Sequence, residues 1–338
     1  MYRPCFILIF SLSAATVSAQ KDASPAGWKY NDPQNGGFQK VVNKQETPPG
    51  MIAVPGGEYH LPGDTTKVSV HSFFIGQYEE TNKQYRAFLS FLQCYSKMPY
   101  FDSLLHTAYP DTSIWHDAPL SKEDRGWLAK NYLSDPRYDD YPVLGLSPLQ
   151  AKAYAAWKTN RLNELIMIRE GILDYQLCGA EYGEPFSTDR YLNASFTNPS
   201  LPEGLPVLHD TRRVRMEDGI LMPRLRPLTS SENIAVTEAQ WNTRTTVNLW
   251  KPYKQRKFDE KNVMPYLFPK TKKWKPDSLQ TRLQKTGLVP VYAGKPDVNK
   301  IFHLSDNAGE WMHDSLTSCG AGEAWKNNGL RLAMDIVW

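Results

Sequence analysis

Phe73–Leu89 reads FFIGQYEETNKQYRAFL and Tyr141–Trp157 reads YPVLGLSPLQAKAYAAW. In the first stretch, the apolar run Phe73–Ile75 stops at Gly76, as a short buried strand does. Thr81 or Asn82 then stands where a helix needs a side-chain oxygen to accept its unpaired N–H groups, and Tyr85, Phe88, Leu89 and Leu92 recur at helical spacing. In the second stretch, Ser147 followed by Pro148 and Gln150 forms a capping box with proline at the first helical position. The helix it opens turns Tyr154, Ala155, Leu162, Leu165 and Ile166 toward a core, and Gly171 is its expected stop. Upstream, MIAVPGGEYHLPGD from Met51 and VSVHSFFIGQYEETN from Val68 contain short β-like stretches punctuated by Gly/Pro turns.

Working outward, Thr229 and Glu232 in PRLRPLTSSE repeat the T-x-x-E box and predict a short helix. Residues 178–212 show no period and read as surface loops. The Lys-rich stretch 251–285, with Tyr253, Phe258 and Trp274, reads as a solvated loop face rather than a nucleic-acid groove. Residues 21–48 are rich in Pro, Gly, Asn and Gln, and form an extended lead-in. Around Cys319 the small residues Ser318, Gly320, Ala321 and Gly322 predict a mobile loop.

The whole chain has 338 residues, 41% hydrophobic and 22% charged, with 39 Lys+Arg against 36 Asp+Glu for a net charge of +3. Those charges are dispersed, so no nucleic-acid partner is expected. Met1–Gln20, MYRPCFILIFSLSAATVSAQ, has the Arg3 n-region, the Phe6–Leu12 apolar segment and the small residues Val17-Ser18-Ala19 of a cleaved secretory signal. Beyond it no apolar run reaches the roughly 18 residues of a spanning helix, so no transmembrane helix is expected. Cys5 precedes the apolar segment instead of following it, which argues against a lipid anchor. The expected location is the periplasm or an outer-membrane-associated site after export. Of the 4 cysteines, Cys94, Cys178 and Cys319 would remain after cleavage, enough for at most one bridge. Walker, GxGxxG, GxSxG and HExxH signatures are absent from the sequence.

Several segments in order resemble one family, the formylglycine-generating-enzyme or sulfatase-modifying-factor domain. MIAVPGGEYHLPGD is similar to its opening strand and turn, FFIGQYEETNKQYRAFL to its strand-to-helix motif, and Tyr141–Trp157 to its second helix entry. Arg226–Glu232, HLSDNAGEW at His303–Trp311 and Gly329-Leu330-Arg331 resemble its later motifs. Within the family, Asp139–Pro142, WKTNRLNELIMIREGIL and VRMEDGILMPRLR look like the gliding-motility lipoproteins of the GldJ/GldK type, which serve gliding and type IX secretion. The resemblance implies an α+β, irregular C-type-lectin-like fold over residues 49–338, with short sheets, two main helices and long loops.

It also implies two chemistries. The family's enzymes hold Cu(I) between two cysteines, because soft thiolates complete the low-coordinate geometry that copper(I) prefers. Here the shortened segment Met312–Asn328 contains Cys319 alone, the single weak catalytic candidate, so a non-catalytic pseudoenzyme is expected and no cofactor is required. The second is calcium, held through the carbonyls of Asp306 and Ala308 and the carboxylate of Glu310. His303 occupies the first ligand position and is a poor donor for a hard cation. Hydrogen bonding of Asn307 and Glu310 within a turn is the competing reading. The expected role is a structural or interaction subunit whose partners are other cell-envelope proteins. The alternatives are a calcium-dependent lectin-like binding module and a residual copper-dependent cysteine oxidase.

Overall fold

The computed structural model describes residues 50–60, 67–169, 178–193, 222–238, 274–297, 299–315, 318–319 and 324–335, all within a compact unit spanning 44–213 and 222–338. The lead-in 21–48, the leader and Gly171 lie outside the described residues. Four strands, β1 (Met51–Val54), β4 (Phe73–Gly76), β8 (Leu332–Asp335) and β5 (Leu225–Pro227), form one antiparallel sheet in the order β1-β4-β8-β5. Its register pairs Val54 with Phe73 and Phe74 with Met334. Phe73, Phe74 and Ile75 are all buried, as an apolar run in a central strand covered on both faces should be. Two smaller antiparallel pairs join β2 (Gly57–His60) to β3 (Lys67–Val70), and β6 (Glu310–Trp311) to β7 (Ser318–Cys319).

Helix α1 (Asn82–Cys94) begins at Thr81 with a complete capping box: the Gln84 N–H donates to Thr81 Oγ1 at 3.3 Å and the Thr81 N–H to Gln84 Oε1 at 2.8 Å. The α2 (Pro99–Ala108) and α3 (Lys122–Asn131) helices follow, and then α4 (Pro148–Arg169) opens with the second box, its Gln150 N–H on Ser147 Oγ at 3.2 Å. Helix α1 lies on α4 through aromatic rings, with Tyr85 stacked on Tyr154 at 5.4 Å and Phe88 beside Trp157 at 5.5 Å. The remaining helices are α5 (Thr188–Leu192), α6 (Ser230–Glu238) and α7 (Ser278–Lys285). Glu232 closes the predicted third box at α6, accepting the Thr229 N–H at 2.8 Å.

Among the described residues, two hydrophobic clusters stand out. One joins the sheet to α6 through Val54, Phe73, Ile75 and Val236; the other gathers Trp115, Leu128, Tyr132, Tyr138, Tyr141 and Trp325. The chain enters α4 through Gly145 at φ +77°, where a Cβ would lie 2.3 Å from the Asp111 carbonyl oxygen, so only glycine fits.

Three expectations are corrected. Among the described residues there are five further helices besides α1 and α4, and α2 and α3 escaped the reading of two main helices. Residues 178–193 carry a short 3-10 turn and α5 instead of loop alone, and the last turns of the Lys-rich stretch form α7. Cys319 lies in β7, hydrogen-bonded to β6 with Glu310 as its register partner, rather than in a mobile loop.

Candidate functional site

The chain between β4 and α1 places two consecutive carboxylates in the interior. Glu79 and Glu80 are both buried because the backbone here is fixed from both sides: the Glu80 N–H donates to the Leu330 carbonyl and its carbonyl accepts the Val143 N–H. Glu80 meets two residues one turn apart on α4. Lys158 Nζ lies 2.7 Å from each carboxylate oxygen, and the Tyr154 hydroxyl donates to Oε2 at 2.6 Å. Burial lowers the Lys158 pKa, an effect opposed by Glu80, while burial and the Glu80 charge raise that of Tyr154.

Glu79 turns to the 303–310 turn. Its Oε2 accepts Asn307 Nδ2 at 2.6 Å and its Oε1 accepts the Ala308 N–H at 2.9 Å. Asn307 adopts φ +64° and accepts the Val289 N–H at 2.9 Å on Oδ1, so one asparagine locks the turn in two directions. Glu310 pairs with Arg331, whose Nε lies 2.8 Å from Oε1. Arg331 is wholly buried, and its remaining donors reach the carbonyls of Gly76 at 3.1 Å, Phe302 at 2.8 Å and His303 at 3.1 Å. Burial pushes the Glu310 carboxyl up to about 7 against the pull of Arg331. Burial likewise holds Glu79 well above the usual carboxylate range, with Arg331 opposing and Glu310 reinforcing the rise.

Asp306 is exposed and its carboxylate meets His303 Nδ1 at 2.9 Å. Ala308 directs its N–H at Glu79, and Glu310 directs its carboxylate at a guanidinium. A divalent cation on Glu310 would lie against the positive charge of Arg331, so this donor set does not fit calcium there. Among the described residues, no group of three or more His, Cys, Asp or Glu side chains is placed to hold a metal. Of the readings left open for Asn307 and Glu310, hydrogen bonding is what the structure displays, although with distant residues rather than within the turn.

Residues 38–182 match the sulfatase-modifying factor enzyme 1-like domain. The match takes in Glu79, Glu80, Tyr154 and Lys158, and ends before Glu310, Cys319 and Arg331. No curated protein matches the chain.

Sequence reasoning singled out Glu310 and missed its partner Arg331 as well as Glu79, Glu80 and Lys158. The sequence carried no signal for burying Glu79 and Glu80, since adjacent carboxylates in a turn are usually solvated. A second feature had no sequence signal. A cavity of about 600 Å³ opens between α1, α2, α4 and the 184–190 segment, walled by aromatic residues such as Phe88, Phe91, Phe101, Trp157 and Phe186, with Arg161 at its edge. That volume falls in the range of small-molecule sites. Arg161 is committed to the wall, donating to the Phe186 carbonyl at 2.7 Å, pairing with Glu164 at 2.8 Å and lying over the Phe91 ring. Among the described residues no helix is long and apolar enough to cross a membrane.

Proposed function

We propose that this chain is an exported, non-catalytic relative of the formylglycine-generating enzymes, with their C-type-lectin-like fold, acting as a structural or interaction subunit of the cell envelope. The gliding and type IX secretion machinery is the assembly its sequence resemblance suggests. The observation that carries this reading is the Glu310–Arg331 pair. An internal guanidinium sits on the carboxylate that the resemblance makes a metal ligand, so the group is used to hold the fold together. Glu80 with Lys158 follows the same pattern, and Glu79 is held by the neutral Asn307 amide and the Ala308 N–H. With Arg331 on Glu310 and Lys158 on Glu80, the oxygens of these carboxylates are engaged by internal cations.

Contact surface is available elsewhere. Tyr100 is 71% exposed and Leu149 79% exposed, and tyrosine is a residue type that contributes strongly at protein contacts. The cavity of about 600 Å³ favours a second reading, a ligand-binding module that needs no calcium at Glu310.

The decisive experiment places a photo-crosslinking residue at Tyr100 and illuminates native envelopes. Discrete adducts with envelope proteins are expected, and recovery of uncrosslinked soluble monomer alone would overturn the subunit reading. Catalysis is tested separately. The purified protein should neither hold Cu(I) stoichiometrically nor consume oxygen with a cysteine-containing peptide, whereas copper binding abolished by Cys319→Ala would restore the oxidase reading.

A further inference from the structure

The cavity between α1, α2, α4 and the 184–190 segment is built from aromatic rings on several sides: Phe88 and Phe91 from α1, Phe101 from α2, Trp157 from α4, and Phe186. Its volume of about 600 Å³ is that of a small-molecule site. The rings brace one another, with Phe91 edge-on to Phe101 at 6.0 Å and tilted against Trp157 at 6.2 Å. A flat ring entering among them finds both π faces and ring edges to pack on.

Charge in the wall is already balanced. Among the described lining residues, Arg161 pairs with Glu164 at 2.8 Å and Arg190 pairs with Glu184. A charged ligand would give up its hydration here without gaining an unpaired counter-ion. Hydrogen bonding is not balanced. Trp157 is 8% exposed, and its buried indole Nε1–H has no hydrogen-bond partner; neither has the buried Nε–H of Arg161, one turn further along α4. Both side chains flank the same ring, since the Arg161 guanidinium lies 4.6 Å over Phe91. Two buried donors without acceptors, side by side in the wall of an aromatic cavity, are a shortfall that a ligand oxygen would make up.

We propose that this cavity binds a neutral, flat aromatic molecule carrying an acceptor oxygen, an aromatic ketone in its simplest form. The ring lies among Phe91, Phe101, Trp157 and Phe186. The oxygen accepts from Trp157 Nε1, which a small rotation of the side chain presents as the ligand seats. The proposal rests on the ligand-binding reading of the cavity and gives it a chemical class; the subunit reading stands or falls separately.

The test is equilibrium dialysis of the purified protein, in chelator, against three naphthalenes of similar size: 2-acetylnaphthalene, 2-isopropylnaphthalene, which lacks the oxygen, and the anion 2-naphthoate. The ketone should saturate one site and bind about tenfold more tightly than either of the others, a factor that one hydrogen bond supplies. Ala156 is an exposed lining residue, so Ala156→Trp should fill the mouth without disturbing the core and weaken the ketone by about tenfold or more. Trp157→Phe, checked for folding by circular dichroism, should bring the ketone down to the affinity of the hydrocarbon and leave the hydrocarbon unchanged. Equal binding of ketone and hydrocarbon to the parent, or tighter binding of the naphthoate, would overturn the chemical class while the ligand-binding reading survives. Absence of saturable binding by all three would overturn both. Ketone binding that is unchanged in Ala156→Trp would place the site elsewhere and also overturn the proposal.

Discussion

Replacing Glu310 by alanine should cost about 3 kcal/mol at pH 8. Removing one partner of a buried ion pair costs roughly 3 to 5 kcal/mol, because the other charge stays buried without compensation. Arg331 cannot escape to water: it is 0% exposed, and the carbonyls of Gly76, Phe302 and His303 hold it in place. Those three acceptors still solvate the guanidinium after the substitution, which places the cost at the lower end of the range. At about 2 to 4 °C per kcal/mol for a domain of this size, the melting temperature should fall by about 6 to 12 °C. Urea and thermal melts of the parent, Glu310→Ala, Arg331→Leu and the double variant Glu310→Leu/Arg331→Leu supply the assay. The double variant should be less destabilised than the sum of the singles by about 2 kcal/mol, since it leaves no charge unpaired. Each melt is run with calcium and with a chelator. A shift below about 1 kcal/mol for Glu310→Ala, or a defect that appears only when calcium is present, would refute the assignment of Arg331 as the partner.

Further outcomes follow from the same charges and from the backbone. Lys158→Ala should cost roughly 3 to 5 kcal/mol by leaving the Glu80 carboxylate buried, whereas Lys158→Met with Glu80→Leu should recover most of the loss, read by urea midpoints. Glu310 and Glu79 have folded-state pKa values raised above the ordinary 4.5, so their contribution to stability is complete below about 4.5. It is lost as pH rises, for Glu310 through about 7. Urea midpoints between pH 4.5 and 8 should fall with this component, and Glu310→Gln should remove part of the slope; an unchanged slope would count against the raised carboxyl. Gly145→Ala should destabilise by at least about 2 kcal/mol, because it adds left-handed strain to a clash with the Asp111 carbonyl, and a neutral thermal melt would contradict that geometry.

Helix starts were legible in the sequence because a cap is a local device. Thr81 with Gln84, Ser147 with Gln150 and Thr229 with Glu232 each satisfy orphan N–H groups within four residues, and all three boxes close in the structure. The helices α2 and α3 were less legible. Helix α3 buries only Leu128 fully and α2 only Leu105 and Ala108, so neither carries a broad apolar stripe. They are held by tertiary contacts: Phe101 of α2 packs on Phe91 of α1 at 6.0 Å, and Tyr132 at the end of α3 packs on Trp115 at 4.7 Å and on Tyr138 at 5.4 Å. Strand β7 had no signal of its own, since Ser318 and Cys319 gain their strand geometry from pairing with β6.

The site was half legible for a related reason. Glu310 stood out because it belongs to a recognisable turn, but the sequence cannot say whether a carboxylate there meets an external cation or an internal one. The answer depends on a residue 21 positions later, delivered by the β8 strand as it enters the sheet next to β4. Arg331 contacts Gly76 at the end of β4, Phe302 and His303 in the turn, and Glu310 in β6. It therefore ties together three chain segments with a fixed planar donor set suited to carbonyl and carboxylate oxygens at once. A calcium ion could satisfy the same oxygens but would add a desolvated charge needing further acidic ligands, and the nearest buried carboxylate, Glu79, is already committed to Asn307 and Ala308. A turn closed by a side chain needs no exchangeable ion, which suits a scaffold more than a site that must admit and release a ligand.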